Sequence, residues 1–387
     1  MKTGLHKGGN AGRVFKVMAD SAAASAMTLI VVLVFILFPL SFSRFNTAQT
    51  MREQYNLMDA YFTISNHVGK THPYHNTSRE IVVVDIRDIY DRDTLADLLA
   101  TIVSAKPLAV GLDVMFEQRK SERADSVIAA VAALPEVVSP VILSSEDRNE
   151  DASFVKASMP FYMTDLKRNA GFVNVAASGA SQTCRFFART LRLGNTHVPN
   201  FDLAILRAVS PSAFEDEMDR GTDVEYINYN LSSFSIFSAA SVPYNLDLLK
   251  GKVVLVGDRG DLADQHVTPV GARVPGVDIH AMTLATMLED RHVDVMSEFG
   301  AWVLAFLVTL AIMPVIRLMR RNEWTSMFYP VLQTLLIVAA VFVCYLIFVS
   351  YGYYVRVVYA LLAIGFIDFG NNLYLKLKGL CGRLLSR

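Results

Sequence analysis

The sequence predicts an α/β extracytoplasmic domain with a mainly parallel sheet, joined to four α-helical transmembrane segments. Three observations point there. Four long runs are almost free of charge. Several short apolar stretches stop on an aspartate, as central parallel strands do where they turn into loops. Between some of those stretches apolar residues recur at helical spacing, as in a strand–helix–strand crossover.

Of 387 residues, 52% are hydrophobic and 19% charged, an apolar excess over a soluble domain that calls for membrane spans. A formal net charge of −1 with no sustained basic stretch argues against nucleic acid as a partner. Residues 1–20 read as a cytoplasmic N-terminus and 21–43 as the first span, whose core is AMTLIVVLVFILFPL. A cleaved signal peptide has a shorter apolar region and a small-residue cleavage site, and SFSRF is a poor one. The segment is therefore read as a retained span, with Pro39 tolerated near its outer end. The later spans are placed at 299–316, 327–350 and 353–375, with a cytoplasmic loop at 317–326 and a basic cytoplasmic tail at 376–387. Basic residues set orientation. Lys2, Lys7, Arg13 and Lys16, then Arg317, Arg320 and Arg321, then Lys376, Lys378, Arg383 and Arg387 all fall on one side if there are four spans. Residues 44–297 then face outward, and Tyr351, Tyr353 and Tyr354 sit in a short outer turn suited to an aromatic belt.

Within 44–297, MREQYNLMDAYFTI continues as a helix, and Gly69, Pro73 and Asn76 mark a loop. Ile81 to Val84 is a strand ending on Asp85, Asp91 to Ala105 a helix, and Leu108 to Leu112 a strand ending on Asp113. Ser121 to Leu134 is a helix and Glu136 to Leu143 a strand that Pro140 pushes toward an edge. Short strands are expected at Gly171 to Ala176, Arg185 to Leu193 and Val224 to Asn228, and a helix at Phe201 to Val209. Val253 to Val256 ends on Gly257-Asp258. A polar loop with Asp261, Asp264, Gln265, His266, Thr268 and Pro269 follows, and Pro275-Gly276 opens a helix to Glu289.

Ligands of open α/β sheets sit beyond the carboxyl ends of the strands, where three strands here finish on acids. Asp85 with Asp88, Asp113 with Glu117, and Asp258 with Asp264 converge if those strands are neighbours; with Thr268 they form the candidate ligand-binding set. Packed carboxylates repel unless a cation, an arginine or a ligand donor lies among them, and Arg87, Arg185 and Arg259 are the compensating candidates. Such a cluster suits Mg²⁺ or Ca²⁺, or hydrogen-bonds a polar small molecule. The competing reading is that these acids cap helix N-termini. His67, His72 and His75 have no zinc-ligand spacing and read as loop residues, while His280 reads as a hydrogen-bonded helix residue. With Cys184 the one cysteine outside, an intradomain disulfide is excluded; Cys344 lies in the third span and Cys381 in the tail. GxSxG, Walker A, HExxH and GxGxxG patterns are absent, so no catalytic residue, metal site or cofactor is expected. In the last span, Asp368, Asn371 and Asn372 are the transmembrane coupling candidates; helix association ranks before signal relay, and ion conduction last.

VVVDIRD (82–88), AVGLDVMF (109–116), LKGKVVLVGDRGD (249–261), DQHVTP (264–269) and PGVDIHA (275–281) follow one another as in the second type of CHASE domain. The chain resembles that family of cyclase/histidine-kinase-associated sensory extracellular domains over most of residues 79–290. Cys184-Arg185 stands where the family tends to have an arginine after a turn. The resemblance extends to architecture, with one leading and three trailing spans. It departs at Arg87, where the family often has aspartate, and at Ile89-Tyr90-Asp91, which replace a Trp-Pro-rich segment. The resemblance implies a sensory protein of the bacterial inner membrane, its large domain facing the periplasm or exterior, that binds a small ligand or a periplasmic protein, with a homodimer expected by analogy. The family usually continues into a cytoplasmic output domain, whereas here only the tail follows the last span. The signal is therefore expected to pass to a separate membrane or cytoplasmic output protein. The alternative is a non-sensing structural subunit of an envelope complex that reuses the sensor fold.

Overall fold

A computed structural model of the chain describes residues 8–37, 57–69, 77–144, 154–166, 169–175, 182–221, 223–230 and 233–385. It divides into two compact units, Glu53–Val293 and a second made of Met1–Arg52 with Asp294–Arg387. The end of the expected first span, and His72 and His75, lie outside the described residues.

In chain order the elements are α1 (Gly8–Leu37), α2 (Leu57–Gly69), β1 (Thr77–Asp85), α3 (Arg92–Ser104), β2 (Ala109–Asp113), α4 (Glu122–Ala132), β3 (Val137–Ser144), β4 (Lys156–Ser158) and β5 (Ala170–Phe172). Then come β6 (Phe186–Ala188), β7 (Thr190–Leu193), β8 (Thr196–Pro199), α5 (Phe201–Val209), α6 (Pro211–Asp219), β9 (Val224–Tyr226), β10 (Ser233–Ser238), α7 (Leu246–Leu249) and β11 (Val253–Gly257). The chain continues through β12 (Gln265–Thr268), β13 (Gly271–Pro275), α8 (Gly276–Leu288), β14 (Asp294–Val295), α9 (Glu298–Met319), α10 (Glu323–Met327), α11 (Tyr329–Tyr351), β15 (Tyr353–Tyr354) and α12 (Val358–Leu385).

The centre of the Glu53–Val293 unit is a mainly parallel sheet in the order β10-β1-β11-β2-β3-β4, with β5 also paired to β3. β1, β11 and β2 are buried on both faces, which is why they read as continuous Val, Ile and Leu runs rather than alternating ones. Val82, Val84, Val254 and Val256 point one way, into a core shared with Leu99 and Ile102 of α3 and Ile128 of α4. On the other face α5 packs so closely that a Cβ on Gly111 would lie 2.6 Å from the Cδ1 of Ile205. The short loops use side-chain caps: Asp91 accepts from the Thr94 N–H at 2.8 Å to start α3, and Ser121 accepts from Ala124 at 3.3 Å to start α4.

Register matters for function. Asp85 is level with Gly257, and Gly257 with Asp113, so three strand ends lie side by side at one sheet edge. Pro140 falls where β3 changes partner, pairing with Gly171 of β5 after the ladder with β2 has ended at Val138, and β3 lies next to the edge strand β4, near the edge as expected. The stretch expected as one strand over Arg185 to Leu193 is two, β6 and β7, and the polar loop after Asp264 contains the β12–β13 hairpin. That hairpin turns on Pro269-Val270, without the Asn-Gly signature that marks such turns in a sequence.

In the other unit, four helices are long and apolar enough to cross a membrane: Phe15–Leu37, Glu298–Met319, Tyr329–Tyr351 and Val358–Leu384. α1 and α12 approach tightly at Gly370, where a Cβ would be 2.2 Å from the Thr28 hydroxyl oxygen. β14 and β15 pair in parallel, so Tyr353 and Tyr354 form a short strand.

Candidate functional site

The sheet edge divides the expected acids into groups with different tasks. Asp85 is spent on the backbone: its Oδ1 accepts from the N–H groups of Arg87 at 3.1 Å and Arg259 at 3.2 Å, and its Oδ2 from the Arg87 guanidinium at 2.6 Å. It fixes the loops after β1 and β11 together. Asp88 is exposed in the turn that follows β1. Thr268 orders the β12–β13 turn, its hydroxyl oxygen accepting from Val270 at 3.3 Å and Gly271 at 3.1 Å.

Asp113, Asp258 and Asp264 share a cleft of about 360 Å³, together with Asp261, Asn174 and His280. The apolar part of its lining is Val114, Met115, Pro140, Ile142 and Val173. Asp258 and Asp261 are each steadied by an amide two residues on, Gly260 at 2.7 Å and Ala263 at 2.8 Å. Asp264 accepts from the His266 Nε2 at 2.9 Å. Its carboxylate lies over the first turn of α8, and a Cβ on Gly276 would be 2.2 Å from it, so only glycine admits this approach. An anion there also meets the positive end of the helix dipole. Asn174 clasps Leu143 through both its N–H and its carbonyl, at 2.8 Å each. Asp113 has no hydrogen-bond partner among the described residues, and burial raises its carboxyl to about 6.

His280 is the residue that sequence reasoning undervalued. It is 4% exposed, stands one turn into α8, and donates from Nδ1 to Asp202 of α5 at 2.9 Å, leaving its Nε2 edge for the cleft. Burial alone would lower its pKa. The charge and hydrogen bond of Asp202, with Asp113 and Asp264 beyond, outweigh that and raise it to about 9. Asp202 is fully buried and burial pushes its carboxyl up, opposed by His280. No local signal joins positions 202 and 280, which is why the pair was invisible in the sequence. The three arginines expected to compensate the acids are elsewhere: Arg87 on Asp85, Arg259 on Asp278 at 2.8 Å, and Arg185 on Asp59 at 2.7 Å. The cleft therefore keeps its negative charge.

A second polar cluster lies where the domain ends. His292 Nδ1 is 2.6 Å from Glu225 and its Nε2 is 3.4 Å from Glu217. These three side chains are placed so that they could hold a metal ion. However, Arg189 pairs with both glutamates and Arg220 with Glu225 at 3.3 Å. Two guanidiniums already balance two carboxylates, so a divalent cation would bring unmatched charge, and the group is better described as a buried ion-pair network. It sits next to a second anchor: Thr286 of α8 accepts from the Asn228 N–H at 2.9 Å, and the Asn228 side chain donates to the Arg291 carbonyl at 2.8 Å. The neighbouring Tyr229 carbonyl accepts from Asn66 of α2 at 2.8 Å. Residues 228–230 thus touch both the entering helix α2 and the exit from α8.

In the helical unit, Asp368 pairs with Arg320, and Asn371 accepts from the Arg317 guanidinium at 2.9 Å and 3.0 Å, joining α12 to α9. Asn372 is exposed. Arg317 also donates to the Asp20 carbonyl at 3.1 Å, so α1 enters the same network.

Compared with family models, residues 28–315 match that of the CHASE2 domain. No curated protein and no solved structure matches.

Proposed function

The chain belongs to the CHASE2 domain family, whose members are extracellular sensory domains, and on that premise we propose that it is a sensor of the bacterial inner membrane whose ligand site is the acidic cleft beyond β2 and β11. The domain faces the periplasm or exterior, and cleft occupancy biases α8, whose C-terminal exit leads in sequence into the first of the three trailing spans. The bundle then passes the change to a separate output protein.

The observation that carries this reading is the double engagement of one helix. α8 gives His280 to the cleft and, six residues later, Thr286 to the anchor at Asn228. Nearly every residue of α8 is buried, so a shift at one end has no soft surface to dissipate into. A ligand moves such an equilibrium only as far as it binds the two arrangements differently.

Hydrogen exchange on the full chain in lipid nanodiscs tests it, with small-molecule fractions of growth medium added one at a time. A fraction that raises the melting temperature is expected to change exchange at the amides of 286–293 as well as around the cleft. Changes confined to the cleft would sink the proposed coupling.

A further inference from the structure

We propose that the cleft takes a small organic ammonium compound that also carries a hydrogen-bond acceptor, with Asp113 anchoring the ammonium group and the Nε2 edge of His280 meeting the acceptor. The proposal rests on the sensing role argued above and names the chemistry of its ligand.

Charge comes first. Asp113, Asp258, Asp261 and Asp264 face the cleft against His280, and none of Arg87, Arg185 and Arg259 reaches it. Adding a molecule without a cationic group leaves the repulsion among those carboxylates in place, whereas an ammonium group set among them relieves it. Asp113 is the natural anchor, because the other three each have one oxygen committed, to Gly260, Ala263 and His266, and Asp113 has none committed among the described residues.

Size and lining then separate an organic cation from a bare metal ion. At about 360 Å³ the cleft has room for roughly a dozen water-sized volumes, the scale of a small metabolite and far beyond one ion. Mg²⁺ or Ca²⁺ needs several oxygens closing to about 2.0–2.6 Å of one point. Here Asp113 ends β2 and Asp258, Asp261 and Asp264 come from the loop after β11. Among the described residues the three side chains placed closely enough to hold an ion are Glu217, Glu225 and His292, outside this cleft. The apolar lining of Val114, Met115, Pro140, Ile142 and Val173 suits carbon rather than hydration water.

His280 supplies the second contact. The ring is 4% exposed and Asp202 occupies Nδ1, so the group it can offer to the cleft is Nε2. Its raised pKa keeps that nitrogen protonated at neutral pH, so it donates and does not ligate a metal. The ligand must answer with an oxygen acceptor on the same small body as its ammonium group.

The test uses the full chain in nanodiscs at neutral pH, melted with millimolar ethanolamine, L-alanine, butylamine, ethylene glycol, MgCl₂ or CaCl₂. The acceptor-bearing amines, ethanolamine or L-alanine, are expected to stabilise it, while ethylene glycol does not. Asp113→Asn is expected to weaken the amine at least about tenfold while remaining folded. His280→Met, which leaves no N–H donor at that position, is expected to bring ethanolamine down to the level of butylamine, whereas His280→Gln, whose amide keeps a donor, should retain part of the difference. A merely structural histidine would not confine that pattern to the acceptor-bearing ligand. No response to any amine overturns the proposal. If MgCl₂ or CaCl₂ stabilises instead, the ligand class is wrong and sensing at this cleft stands. If nothing stabilises and a protein co-purifies stoichiometrically, the sensing role falls with it.

Discussion

At the scale of single residues, Asp113 and His280 make the folded domain respond to pH in opposite senses of charge but the same direction of stability. A carboxyl raised from 3.8 to about 6 binds its proton more tightly in the folded chain. Its favourable contribution is full below about pH 4 and gone above about pH 6, after which the ionised group weighs against the fold by on the order of 3 kcal/mol. An imidazole raised from 6.5 to about 9 contributes fully below about pH 6.5, and that contribution is lost as pH rises through about 9. Unfolding free energy should therefore fall in two windows. Asp113→Asn, which keeps the shape and removes the charge, is expected to abolish the acidic window and add about 1–3 kcal/mol at neutral pH. His280→Gln is expected to abolish the alkaline window. Denaturant melts of the full chain across pH check both, and an Asp113→Asn chain that is less stable at neutral pH would mean that the carboxylate is satisfied in the fold. An acid that costs the apo fold stability is what a residue kept for a ligand looks like.

At the scale of elements, α8 is where sensing and stability are hardest to separate. The Thr286 hydroxyl accepts from Asn228 and donates to the Met282 carbonyl at 2.8 Å, in a fully buried position. Thr286→Val keeps the volume and orphans the Asn228 N–H, which should cost about 1–3 kcal/mol in a thermal or urea melt, and Thr286→Ser should recover most of it. A valine chain as stable as the parent would show that the anchor carries no energy. The strands around α8 were legible because β1, β11 and β2 are buried on both faces and bounded by aspartates, leaving an uninterrupted apolar run to read. The convergence of three strand ends was legible only on the condition that β1, β11 and β2 are neighbours, which the sheet order meets. What could not be read is which acid the cleft keeps. Asp85 turned to the Arg87 and Arg259 amides, Thr268 to its own hairpin, and His280 to a carboxylate 78 residues away in sequence. Local turn chemistry and long-range pairing decide those fates, and neither leaves a periodic trace. β10 was missed for a different reason. In SFSIFS the alternation breaks at Ile236-Phe237, and with serine as its polar partner the segment looks like a loop.

For the whole molecule, the orientation of the chain is the claim on which a sensory role depends, and the bundle offers a way to test it. Asp20, Arg317, Asn371 and Lys378 join α1, α9 and α12 in one polar network, and Arg320 with Asp368 is a further pair between α9 and α12. In the proposed orientation, the positive-inside rule expects these basic side chains at the cytoplasmic interface. The free cysteines make the assay simple: Cys184 and Cys344 are buried and Cys381, in α12 beyond this network, is exposed. An impermeant maleimide is expected to leave the parent chain unlabelled in intact cells and to label Cys381 once the inner membrane is opened. Leu262, 80% exposed in the loop after β11, gives the opposite marker, and Leu262→Cys should react before the membrane is breached. Labelling of both positions in intact cells would put the cleft and the tail on one face. No arrangement of one leading and three trailing spans allows that, so the outward-facing receptor would have to be abandoned.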